Sequence, residues 1–96
     1  MTVSYASALV GDQGKLIGSH NVKSCERVDT GAYMVHYADT FSAGVGAQAT
    51  SWNTAAITSV NIMAENTCEV FVRDAGGKSV DGGFTFLVMG TSAEPM

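Results

Sequence analysis

Little in this chain can break a strand or power a reaction. The only proline is Pro95, next to the end, and there are two cysteines. No apolar run approaches the ~20 residues of a membrane-spanning helix. The N-terminal stretch MTVSYASALVGDQGK lacks a basic region followed by an apolar block, so it does not read as a secretory signal. Synthesis in a cytoplasm is the expectation. Cations are scarce: Lys15, Lys23, Lys78, Arg27 and Arg73 are scattered, the net charge is −4, and no basic stripe exists for phosphate contacts. Nucleic acid and membrane are therefore not expected partners.

The chemistry that would make an enzyme is also thin. His20 and His36 fall on different expected strands, with no spacing that makes them a base pair or ligand set. No serine sits in a G-x-S-x-G elbow. Most of the acids, including Asp12, Asp29, Asp39, Asp74 and Asp81, lie at turns, where a carboxylate usually bonds local amides. No D-x-D-x-D run gathers oxygens for calcium. Gly76-Gly77-Lys78-Ser79 resembles only the tail of a phosphate loop, and no helix is expected after it. Cys25 and Cys68 lack zinc-ligand spacing and read as buried free thiols more readily than as a disulfide. No cofactor, no metal and no catalytic set is expected.

What is present is strand pattern. Ninety-six residues make one domain, with the ends 1–2 and 91–96 expected to fray. At 46% apolar and 15% charged, the chain is greasy for its size, which suits either many alanines or an oligomer interface. Alternation predicts strands in VSYASALV, KLIGS, NVKSCERV, AYMVHYA, ITSVNIMA, CEVFVRD and FTFLVMG, with a weaker one near 45–50. Gly18 suggests a bulge or a close backbone approach. NVKSCERV has no cleanly apolar face, which suggests an edge strand or one half covered by a neighbour. Asp29, Thr30 and Gly31 close a hairpin in which Gly31 takes positive φ. Tyr33, Val35 and Tyr37 share the inner face of the clearest strand. The expected fold class is all-β, an antiparallel sandwich or jelly-roll-like barrel of about eight short strands.

The candidate contact residues are Trp52 and Asn53 in a polar loop, Tyr5 and His36 on strands, and Asp81. An aromatic face beside Asn or Asp could stack on a sugar ring, although such residues are more often interface anchors.

The segment GKLIGSHNVKSCERVDTGAYMVHY resembles one recurrent in tailed-phage virion proteins. The matching positions are Gly14, Ser19, Asn21, Val22, Ser24, Arg27, Thr30, Gly31, Tyr33, Val35 and Tyr37. SVDGGFTFLVMG is similar to that family's closing strand through Asp81, Phe84, Phe86, Val88 and Gly90. Cys25 stands where a small apolar residue is usual, and the middle third matches only in strand spacing. The hairpin is also similar to the trimeric jelly rolls of the C1q and tumour-necrosis-factor type. These resemblances imply a homotrimer and a non-enzymatic virion protein. The leading expectation is a decoration or cement protein bound to the major capsid protein or another virion protein. The alternative is a tail-fibre head that binds a host-surface receptor or glycan.

Overall fold

The computed structural model describes residues 2–38, 41–52, 55–64 and 66–92, with the side chains of 2, 3, 41–45, 64 and 92 left aside. Asn53 therefore lies outside the described residues, as do Asp39, Glu65 and the tail from 93. Eight antiparallel strands run in chain order: β1 (Thr2–Val10), β2 (Leu16–His20), β3 (Val22–Asp29), β4 (Ala32–Tyr37), β5 (Phe41–Ser51), β6 (Ile57–Ala64), β7 (Thr67–Arg73) and β8 (Phe84–Ser92). They form two four-stranded sheets. Sheet A has the order β2-β1-β8-β5, and sheet B the order β3-β4-β7-β6. Eight antiparallel strands in two sheets make the fold all-β, as the alternation predicts.

Period-two alternation decides the core. Sheet A turns Ala6, Ala8 and Val10 of β1 and Phe84, Phe86 and Val88 of β8 inward. Sheet B answers with Tyr33, Val35 and Tyr37 of β4 and Cys68, Val70 and Val72 of β7. The large residues cross the gap: Tyr33 meets Phe84 at 5.1 Å between ring centroids, and Tyr37 meets Phe86 at 6.3 Å. Small residues fill in around the rings, with Ala6, Ala47 and Ala8, Ala49 flanking Val88 and Phe86. This is why the alanine-rich middle of the chain forms a strand at all. β5 spans the eleven residues Phe41–Ser51, longer than its weak local pattern predicts, because β8 pairs along it.

Two irregularities explain awkward sequence patterns. β3 is an edge strand, as expected, and its register slips between Val22 and Ser24 and again between Arg27 and Asp29. The first slip lets Val22 and Cys25 both pack against the core, although their spacing is odd. In β2 the slip opposite Leu9 and Val10 leaves Ile17 over, next to the glycine expected to mark it. Gly18 itself faces open space, so the bulge reading holds and the close-approach reading does not. Thr2 pairs with Ser92 and Val3 with Thr91, so the β1–β8 ladder runs to the last described residue of each strand. The ladder continues there because β1 and β8 are the middle two strands of sheet A and lie side by side.

Candidate interaction surfaces

Many of the residues that carry the sequence motif meet at one end of the sandwich. Arg27 shares its face with Tyr33 and so points inward at the edge, and its Nε donates to both carboxylate oxygens of Asp81, at 2.9 and 3.0 Å. Its Nη2 donates to the Thr30 hydroxyl at 3.2 Å. The Asp81 carboxylate also accepts from the Gly31 amide at 2.9 Å. Gly31 has φ of 65°, and a Cβ there would lie 2.5 Å from the Val72 carbonyl oxygen and 2.8 Å from that of Val80. Gly31 is therefore required twice, for its dihedral and for its lack of a side chain. The Gly31 carbonyl accepts from Val72 N–H, which ties the hairpin to β7.

Tyr33 completes the knot. Its hydroxyl donates to the Asp12 carbonyl at 2.6 Å and accepts from the Gly82 amide at 3.1 Å. Gly14 allows the 11–14 turn to lie against β3, since a Cβ there would meet Arg27 N at 2.8 Å. Three segments distant in sequence are thus fastened together. The charges are held accordingly: hydrogen bonding from Arg27, then from the Gly31 amide, keeps the Asp81 carboxyl below the usual carboxylate range, and Asp81 holds Arg27 firmly protonated. Asp81, one of the sequence candidates for ligand contact, has its carboxylate occupied by the protein itself.

The other candidates are dispersed. Trp52 follows β5, is 47% exposed, and donates its indole N–H to the Val10 carbonyl at 2.9 Å. Its backbone N–H reaches Gly83 O at 3.3 Å, so the ring is pinned with an open face. Tyr5 lies on the outer side of sheet A, stacked on His20 at 4.5 Å, while the Asn21 side chain donates to its carbonyl. His36 lies on the opposite side of the molecule, outward on sheet B, within 3.2 Å of the Thr67 hydroxyl and 3.4 Å of Glu26. These residues do not converge on one pocket, and among the described residues no three His, Cys, Asp or Glu side chains cluster to hold a metal ion.

The glycine-dense 74–79 turn is held by its own hydrogen bonds. The Asp74 carboxylate accepts from the amides of Gly76 and Lys78, each at 2.9 Å, and Val80 N–H returns to the Val72 carbonyl. Amides that a phosphate would need are already taken. The cysteines are both free. Cys25 and Cys68 flank Val35 from strands on either side of it, a separation of two strand spacings, about 10 Å, against a disulfide limit of about 7 Å. Burial, helped by Glu26, pushes the Cys25 thiol up to about 11.

The feature that sequence reading did not anticipate is the distribution of charge between the sheets. No residue of β1, β2, β5 or β8 is Asp, Glu, Lys or Arg. The outer side of sheet A reads across β1, β8 and β5 as Tyr5–Met89–Gly46, Ser7–Leu87–Gln48 and Leu9–Thr85–Thr50. Shallow hollows lie on it, one lined by Gly46, Gln48, Leu87 and Met89 and another by Ser7, Leu9, Gly18 and His20. The outer side of sheet B differs: one row alone carries Glu26, Met34, Glu69 and Asn61, and Arg73 sits 5.7 Å over the Phe71 ring. The signal was in the sequence, but only the strand order assembles four uncharged segments into one surface.

No family model, curated protein or solved structure matches this chain.

Proposed function

We propose that this chain is a non-enzymatic structural protein of a phage virion, a decoration or cement protein that assembles as a trimer on the capsid surface. The observation that carries this reading is the uneven dress of the two sheets, one bare of charge on its outer side and the other charged. A protein whose task is to sit between copies and partners needs one surface that can be desolvated cheaply and another that remains wet. The resemblance to virion proteins supports it in a second way: the residues that carry it, Arg27, Thr30, Gly31, Tyr33 and Asp81, serve as a clasp for the fold, which leaves the sheet faces free to do the binding. Purified protein should co-sediment with matching mature capsids and raise the temperature at which they release their genome. Capsids that neither bind the protein nor gain heat resistance would sink the reading.

The fibre-head alternative has one specific observation in its favour. Trp52 is pinned through both of its N–H groups yet presents half of its surface to solvent, a rigid platform suited to stacking on a sugar ring. Trp52→Ala with the fold intact should abolish cell or glycan binding if this reading is right. Unchanged binding removes Trp52 from the site.

A further inference from the structure

We infer that copies of this chain meet through the outer side of sheet A, with Leu87 and Met89 of β8 at the centre of the contact. The inference rests on the assembly reading above and names the surface that reading leaves open. Three observations point to a second copy as the occupant.

The first is charge. Each chain carries a net charge of −4, so two copies repel, and most approaches bring carboxylates together. The outer side of sheet A, with no Asp, Glu, Lys or Arg on any of its strands, is the face that a like-charged copy can approach without pairing like charges. A partner of opposite charge would gain nothing from it.

The second is area. Four strands at about 4.8 Å and some nine residues at about 3.4 Å give a flat area of ~600 Å². Side-chain relief brings this toward the ~800 Å² per partner of a standard specific interface.

The third is composition along the middle of the face. Tyr5 and Met89 are 46% and 44% exposed, and neighbouring Leu87 and Leu9 are only partly covered, in adjoining rows of the ladder. Desolvating these side chains is favourable, and Gly46 and Gly18 leave hollows into which a neighbour's side chains can seat.

The test is solution mass by light scattering, with two variants beside the native protein. The native protein should run as an oligomer, three chains of 10.0 kDa each in the trimer. The double variant Gln48→Glu, Met89→Glu puts charge on the outer side of sheet A and should fall to one chain. Ser59→Glu puts charge on the outer side of sheet B and should keep the native mass. Circular dichroism and thermal melting confirm that each variant is folded; should the double variant not fold, Met89→Glu alone replaces it. An oligomeric native protein whose sheet A variant retains full mass overturns the inference while leaving the assembly reading intact. A native protein that stays a single chain overturns it too. If that single chain binds capsids and the sheet A variant does not, another virion protein covers the face. Failure of the virion reading shows separately, as native protein that does not bind capsids whatever its mass.

Discussion

At the residue scale the molecule depends on a few atoms at one end. Asp81 accepts from Arg27 and Gly31 at once, and its side chain is a quarter exposed, so the pair is neither fully screened nor fully desolvated. Asp81→Asn should lower stability by about 1–2 kcal/mol at pH 7, less than a buried charged hydrogen-bond pair would lose. The pH dependence has a definite sign. The folded carboxyl sits below its unfolded value, so its contribution is complete above the unfolded pKa and fades as pH falls through the folded one. Denaturant melts of wild type and Asp81→Asn should therefore differ at neutral pH and converge in acid; a constant gap across the range would refute the clasp's ionic character. Gly31→Ala meets both a left-handed backbone and the Val72 carbonyl, and should cost about 2–4 kcal/mol or prevent folding. Cys25, with its thiol pushed up to about 11, should resist alkylation at pH 8 in the folded state and react normally once unfolded. Rapid native labelling would contradict the packing described for it.

At the scale of elements, legibility depended on how much of a strand's fate is local. β4 and β8 were readable because alternating large residues set their inner faces: Tyr33, Val35, Tyr37 and Phe84, Phe86, Val88 are buried, as their parity predicts. β3 was readable as an edge and unreadable in its faces, since two register slips reset the alternation partway along. β5 was half readable, because Ala47 and Ala49 matter only in relation to the rings opposite them. β5 and β6 are edge strands of different sheets, tied by the Thr58 hydroxyl donating to the Ala49 carbonyl and by Ser51 to the Ala56 carbonyl at 3.3 Å. Thr58→Val keeps the shape and removes one tie. It should cost about 1 kcal/mol and speed amide exchange in β5 and β6 more than in β1 and β4. Uniform exchange across all strands would show that this seam does not hold the sheets together.

At the scale of the whole molecule, the two sheets present different solvents to their surroundings. Association through an uncharged face loses no ion pairs as salt rises, while the repulsion between net charges of −4 is screened. The oligomer proposed above should therefore hold or tighten between about 0.05 and 0.5 M salt, where the Debye length falls from about 14 to about 4 Å. Dissociation with added salt would point instead to the charged outer side of sheet B, around Glu26, Glu69 and Arg73.

By itself, the sequence determined that the chain is all-β, where most strands lie, and which aromatic residues are inside. Those properties follow from local alternation and turn chemistry, which act over a few residues. It also marked Gly31 as the hairpin's positive-φ residue, because steric limits on a backbone dihedral are local. The tertiary structure alone decided that Asp81 closes a clasp with Arg27, that the two cysteines stay apart, and that four uncharged strands form one face. Each of these depends on which distant segments become neighbours. Strand order sets that neighbourhood, and it is fixed by the summed burial of the core, which no single stretch of sequence contains.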